Sequence, residues 1–234
     1  LSGAGAAGNL NVTGGGGNDA LTGGNANDTL TGGNGEDAIN GNGGADNLSG
    51  GDANDTFTVD TKAEYTSAVG SDTIDGGAGT DTVAFGSAMN MAASQLGSIS
   101  NTEKWTITAG SEFTISDDVL ANNPGLNFVL AGNGTLSGGE DTAGAALMTT
   151  AINFAATQNG NLKLVGSSAD DTYTFSGLST LTNDDTIDGN AGTDTIQILN
   201  NTSPGGADGT GDAMNNGNSK TIAIGANHKG LENI

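Results

Sequence analysis

Apolar positions recur every nine residues over residues 14–58. The segment reads as five units in register: GGGGNDALT, GGNANDTLT, GGNGEDAIN, GNGGADNLS and GGDANDTFT. The first position of each unit is Gly, the sixth is Asp and the eighth is apolar. One apolar side chain between polar neighbours is the alternation of a short strand with one buried face, and the Gly-rich first six positions favour a tight turn. Each unit therefore predicts one turn followed by one short strand.

Two units predict a coil of 18 residues with two strands, and stacked coils enclose a thin apolar core. Asp19, Asp37 and Asp55 then form one column, and Asp28 and Asp46 form a second. Carboxylates stacked at the spacing of neighbouring strands, roughly 4.7–4.9 Å, repel each other unless a cation lies between them. Calcium prefers carboxylate and carbonyl oxygens, and Gly-rich turns expose carbonyls. The spacing therefore favours a calcium ladder.

The five units resemble the RTX (hemolysin-type calcium-binding) repeat G-G-x-G-x-D-x-U-x. The resemblance implies an all-β fold, a right-handed parallel β-roll, with calcium between successive turns. It also implies ligation by the sixth-position Asp and by turn carbonyls, for which the candidates are Gly15, Gly17, Gly24, Gly33 and Gly35. Ala26 and Ala53 replace the fourth-position Gly and Asn42 replaces the second, so we expect strain in single turns without loss of a carboxylate.

The pattern returns further along the chain, in residues 76–84, 166–174 and 189–197. Segments 51–85 and 167–198 align as one block used twice. This alignment adds five candidate calcium ligands: Asp72, Asp81, Asp171, Asp185 and Asp194. An incomplete copy precedes the five units and has Leu10 in place of Asp, which predicts a capping turn without a metal ligand.

These repeats divide the chain into four predicted segments. They are a first roll block (1–85), a calcium-free β-solenoid (86–165), a second roll block (166–199), and a loop with the start of a further solenoid segment (200–234). The middle segment predicts strands at 105–108, 112–115, 126–130 and 161–165, and a helix at 143–157. Because the chain stops inside a second copy of a repeated block, we expect a fragment of a longer repetitive protein, with a cleavage product as the alternative.

The amino-acid composition also indicates that the chain needs a bound cation to fold. Fewer than one residue in five is Leu, Ile, Val or Phe, and the formal net charge is −22. Chains of this kind are usually disordered, but metal binding can supply the missing folding free energy. The five basic residues are all Lys, which argues against nucleic-acid binding. No apolar run approaches the roughly 18–20 residues of a transmembrane helix.

The sequence contains no motif for catalysis, since it lacks Cys, H-E-x-x-H and G-x-S-x-G, and His228 is the single His. We therefore expect no enzyme. The RTX resemblance implies type I secretion from a Gram-negative bacterium and folding on extracellular calcium. The favoured function is a self-assembling structural module of an S-layer or surface filament at the bacterial cell surface, with lipopolysaccharide or a cell-surface glycan as the expected anchor. The alternatives are a segment of a large RTX adhesin and the secretion module of an exoenzyme or toxin.

Overall fold

The computed structural model describes residues 2, 8–60, 72–138, 149–157, 161–176, 185–198, 223–224 and 231–233. Over these residues the chain forms parallel strands arranged in three sheets. A long sheet runs from the first coil to the last, and two flanking sheets face it in turn. The long sheet contains β2 (Ala20–Thr22), β4 (Ala38–Asn40), β6 (Thr56–Val59), β8 (Thr82–Phe85), β11 (Lys104–Thr108), β13 (Asn127–Ala131), β15 (Asn153–Ala156), β17 (Thr172–Phe175), β19 (Asp194–Ile198) and β21 (Leu231–Asn233).

The two flanking sheets follow one another along the roll. The first contains β1 (Asn11–Gly16), β3 (Thr29–Asn34), β5 (Asn47–Asp52), β7 (Thr73–Ala78) and β10 (Ile99–Ser100). The second contains β9 (Asn90–Met91), β12 (Ser111–Ile115), β14 (Gly134–Gly138), β16 (Leu162–Val165), β18 (Thr186–Asp188) and β20 (Ala223–Ile224). Two short helices, α1 (Ala93–Leu96) and α2 (Asp117–Asn122), lie near the change from one to the other.

The nonapeptide units form the predicted two-strand coils. Leu21 pairs with Ile39 in the long sheet, and Leu30 pairs with Leu48 in the first flanking sheet. Each pair joins equivalent positions of successive coils, so every strand of one sheet lies directly on the strand one coil earlier. The fold is thus a parallel β-roll, as the sequence predicts.

The roll changes its cross-section between β8 and β11. One coil there supplies β9 to the second flanking sheet and β10 to the first. The buried amide of Asn123 fixes the junction: its Nδ2 donates to the carbonyls of Ile99 and Val119, and its Oδ1 accepts from the backbone N–H and the hydroxyl of Thr102. The indole N–H of Trp105 donates to the same hydroxyl.

The core thickens shortly before this junction. In the first coils each strand buries a single side chain between the sheets, as Leu30 does. From β6 to β17, strands of the long sheet bury two, such as Trp105 and Ile107 in β11. Aromatic rings fill this wider interior, and Phe154 stacks on Tyr173 with ring centroids 4.8 Å apart. The later coils are therefore held by apolar packing to a greater extent than the first.

Four predicted strands of the middle segment are confirmed as β11, β12, β13 and β16. The helix prediction at 143–157 is wrong where the chain is described, because residues 153–156 form β15, in which Phe154 and Ala156 face the core. Residues 139–148 and the predicted loop at 200–219 lie outside the described residues. The long sheet continues through both predicted blocks, and the proposed segment boundaries stay a prediction.

Candidate metal centre in the aspartate ladder

Each sixth-position Asp stands at or immediately before the start of a strand, and its side chain joins two coils. From Asp28 onward, its Oδ1 accepts a hydrogen bond from the backbone N–H of the equivalent residue one coil earlier. In the first column the N–H of Asp19 donates to Asp37 (2.7 Å), that of Asp37 to Asp55 (2.8 Å) and that of Asp55 to Asp81 (2.7 Å). The predicted column is confirmed and continues through Asp81 to Glu103, whose Oε2 accepts the N–H of Asp81.

The second column follows the same rule. The N–H of Leu10 donates to Asp28, that of Asp28 to Asp46 and that of Asp46 to Asp72. Leu10 therefore begins the column by donating its backbone N–H, although its side chain offers no oxygen.

In the second block the N–H of Asp171 donates to Asp194 (2.9 Å), as that of Asp55 does to Asp81 in the first. The N–H of Leu162 likewise donates to Asp185. The two blocks thus share their inter-coil hydrogen bonds.

The second carboxylate oxygen distinguishes two kinds of turn. In six turns, Oδ2 is buried and has no hydrogen-bond partner; these belong to Asp19, Asp37, Asp46, Asp55, Asp81 and Asp194. Positions two and four of the same six turns have positive φ, as at Gly15 (111°) and Gly17 (92°). We call these the open turns. A buried carboxylate oxygen without a hydrogen-bond donor costs folding free energy. A positively charged partner at each open turn would therefore stabilise the fold.

Each unpartnered oxygen lies against the first-position Gly of its own turn. A Cβ placed on Gly14 would lie 2.5 Å from Oδ2 of Asp19 and 2.7 Å from the carbonyl oxygen of Gly32 in the next coil. Gly32 and Gly50 are enclosed in the same way by an Asp oxygen and the next coil's carbonyl. We call this space the cradle. Two oxygen acceptors border it, and a side chain of any size would fill it.

The electrostatics of the ladder oppose ionisation. Burial raises the pKa of Asp46, Asp55 and Asp194 to about 6, with neighbouring carboxylates adding to the effect. Burial also raises the pKa of Asp81 and Asp171. The fold therefore disfavours the charged forms relative to water, and a cation would reverse the sign of that effect.

The ladder is interrupted in the middle of the roll. In the long sheet, Leu126 and Ile152 take the place before β13 and β15 that Asp takes elsewhere, and both are buried. In the second flanking sheet the equivalent places are held by Ser111, Gly134 and Leu162 before Asp185 restores the pattern. Apolar or neutral residues thus replace the carboxylates where the core is thickest.

The five glycines predicted to offer backbone carbonyls to calcium do not all lie in open turns. Gly15, Gly17, Gly33 and Gly35 have φ between 92° and 118° in open turns. Gly24 instead donates its N–H to Oδ2 of Asp28 at 2.6 Å, and its carbonyl accepts the N–H of Gly43.

The three residues that depart from the repeat consensus also differ in backbone conformation. Asn42 and Ala53 adopt positive φ (63° and 79°), the strained conformation expected at those positions, whereas Ala26 does not adopt a positive φ.

Two sets of inter-coil contacts were not predicted from the sequence. Fifth-position side chains such as Asn18 and Asn54 accept the N–H of the fifth-position residue in the following coil, Glu36 and Thr80. Glu103 extends the first column, and the signal for it is its place directly before a strand.

The oxygen-rich cradles suit a hard cation in their chemistry. Within the described ranges no three acidic or histidine side chains converge on one point, so backbone carbonyls are needed to complete a site. Calcium takes such mixed carboxylate and carbonyl sets. The fold and the ladder together define a calcium-binding repeat, in which successive turns offer oxygen ligands.

Comparison with protein families identifies that repeat. A family model of the RTX calcium-binding nonapeptide repeat (four copies) matches residues 5–38, 13–48, 31–60, 69–87 and 178–197. The chain therefore contains RTX calcium-binding repeats over these residues, and such nonapeptide repeats bind calcium ions. These repeats are structural calcium-binding units and are typical of proteins exported by type I secretion. No curated protein matches the chain. No helix in the described part of the chain is long and apolar enough to cross a membrane.

Proposed function

We propose that the chain is a calcium-dependent structural module of a secreted bacterial cell-surface protein, in an S-layer lattice or a surface filament. The observation that carries this proposal is the set of buried, unpartnered Oδ2 atoms of the first column, each beside a backbone carbonyl of the next coil. Bound calcium supplies the positive charge that these oxygens lack. Metal binding then contributes directly to folding, because the unfolded chain holds no such site.

The proposed ligands are the sixth-position carboxylates together with turn carbonyls. The best supported are those of the four open turns stacked in the first column, Asp19, Asp37, Asp55 and Asp81. The coils of Asp19 and Asp37 carry the thinnest core, so they depend most on an added source of stability. The low calcium of the cytosol and the higher calcium outside the cell would keep these first coils unfolded until export.

Assembly is supported by the surface of the roll. The outward positions of the long sheet carry short polar side chains, such as Thr56, Asn127 and Asn153, and form a regular face. Exposed carboxylates such as Asp52 and Asp75 give neighbouring rolls groups that calcium can bridge. The net charge of −22 would oppose such contact in the absence of a divalent cation.

Circular dichroism and light scattering on the chain, in chelator and in ~2 mM calcium, test this proposal at a concentration suited to extracellular sites. We expect calcium to increase β-structure and to produce large particles, and magnesium at the same concentration to do neither. A calcium-dependent fold that stays monomeric would replace assembly with an adhesin segment or a secretion module. Unchanged β-structure on adding calcium would refute the calcium-dependent fold itself.

A further inference from the structure

Two turns of the ladder differ from the six open ones. They carry Asp28 and Asp171, and both carboxylates are buried with every oxygen hydrogen-bonded. Oδ2 of Asp28 accepts the N–H of Gly24 at 2.6 Å, and Oδ2 of Asp171 accepts the N–H of Ser167 at 2.7 Å. The donor in each case is the second residue of the same turn. We call these the closed turns.

In the coil after each closed turn, an asparagine side chain donates a hydrogen bond to the first-position carbonyl of the closed turn. Asn42 and Asn190 stand at the second position of the turn stacked on the closed one, and both have φ of 63°. These stacked turns are the open turns of Asp46 and Asp194. Nδ2 of Asn42 donates to the carbonyl of Gly23 at 2.9 Å, and Nδ2 of Asn190 donates to the carbonyl of Gly166 at 2.7 Å. The two places are 148 residues apart in the chain yet have the same geometry.

Local sequence explains why the asparagine holds this position. The residue two before it, Asn40 or Asp188, accepts the asparagine's own backbone N–H through its side-chain oxygen. The signature is therefore Asn or Asp, then Gly, then Asn, at the start of a unit. In open turns of the first column a Gly stands at the second position, which offers no side-chain donor.

We infer that calcium is confined to the stacked open turns, and that the closed turns are held by backbone and asparagine amides without metal. The inference rests on the proposed calcium sites of the open turns. At a closed turn the carboxylate and the first-position carbonyl already have N–H donors, so a cation would have to displace them. At an open turn, Oδ2 has no donor to lose.

The two ends of the described roll should therefore differ in how much their folding depends on calcium. The described coils from Asn11 to Phe85 contain the four stacked open turns, and their folding depends on calcium. The described coils from 153 to 197 contain one open turn, that of Asp194, which is stacked on a closed turn bridged by Asn190, and they bury paired aromatic side chains. Stability in a stacked-repeat protein is a sum over repeats and their interfaces, so one roll can contain both behaviours.

Hydrogen–deuterium exchange of the full chain, read by mass spectrometry in chelator and in saturating calcium, tests the inference. We expect peptides from β2 to β6 to lose protection in chelator, and peptides from β15 to β19 to keep it. Equal loss of protection at β15 to β19 would overturn the inference and leave the proposed calcium function standing. Protection that is unaffected by chelator everywhere would instead remove the proposed function, and the inference with it.

A single substitution tests the closed turn locally, without relying on how the whole chain responds to chelator. Asn190→Gly removes the amide donor and keeps a residue that tolerates the positive φ. We expect exchange at β17 and β19 to become about fivefold to tenfold faster, the worth of one net hydrogen bond, with and without calcium. The matched control is Ala53→Gly, which places Gly at positive φ in an open turn without removing a donor, and should not lower protection. If saturating calcium abolished the effect of Asn190→Gly, the closed turn would be a calcium site and the inference would fail.

Discussion

Filling one cradle tests the calcium sites directly. A Cβ on Gly50 would collide with Oδ2 of Asp55 and with the carbonyl oxygen of Gly76. Gly50 has no positive φ, so Gly50→Ala acts through occupied space and leaves the preferred backbone conformation unchanged. One collision partner is backbone and cannot swing away, so we expect an overpacking cost of ~1–3 kcal/mol. The same methyl group takes the place where a cation would contact both oxygens.

The two effects separate in the calcium dependence of stability. An ion that binds only the folded chain raises the free energy of unfolding by ~1.4 kcal/mol for each tenfold increase in its free concentration above Kd. Overpacking lowers stability equally at every calcium concentration, whereas a lost ion lowers the slope. We therefore expect Gly50→Ala to reduce the slope by ~1.4 kcal/mol per decade of calcium for one lost ion.

Urea unfolding at several calcium concentrations, followed by the fluorescence of the single Trp and by circular dichroism, measures this slope. The control is Gly16→Ala, because Gly16 lies in the first flanking sheet with no positive φ and no atom within 4 Å of its added Cβ. Its slope should match that of the unchanged chain. If Gly50→Ala lowered stability but kept the full slope, the cradle would be a packing contact only, and the assignment of calcium to it would be wrong.

Two further predictions concern pH and the thick part of the core. The folded pKa of Asp46, Asp55 and Asp194 is about 6, above the ordinary 3.8, so protonation favours the metal-free fold and that contribution is lost as pH rises through 6. Circular dichroism in chelator should therefore show more β-structure at pH 5 than at pH 7, and an equal or smaller amount would contradict the raised pKa values. Asn123→Ala removes four hydrogen bonds at the junction of the flanking sheets and leaves buried groups unpaired, so we expect at least ~3 kcal/mol lower stability with an unchanged calcium slope in the same urea experiment. A reduced slope would mean that the junction and the ladder fold as one unit.

The periodic part of the chain could be predicted from its sequence because one rule repeats. Asp37 and Leu30 are each fixed by their place in a nine-residue unit, and the structure places both as the period requires. The rule ends after β8. Met91 and Ile99 are both apolar and both buried, yet they join different flanking sheets, and nothing in their spacing indicates which.

Other features depend on contacts between coils that a single unit does not encode. Asn42 is visible in the sequence as a departure from Gly, but its role needs the carbonyl of Gly23 in the coil before it. The segment around Phe154 contains Ala and Thr in a helix-compatible pattern, and parallel pairing with Phe128 and Tyr173 overrides that preference. Local propensity is weak where a neighbouring strand supplies hydrogen bonds and an apolar face.

The thickness of the core accounts for where the carboxylate ladder is kept. In the first coils a strand such as β2 buries one Leu, and the unpartnered oxygens of the first column continue through Asp81. In the middle coils the strands bury aromatic pairs, and Leu126 and Ile152 occupy the ladder position itself. A buried apolar residue stabilises its coil unconditionally, whereas a buried carboxylate without N–H donors does so only with its counter-ion. With calcium in the open turns as proposed, the chain places a fold that depends on calcium next to one that does not. The sixth-position residue and the N–H donors around it together decide which kind each coil becomes.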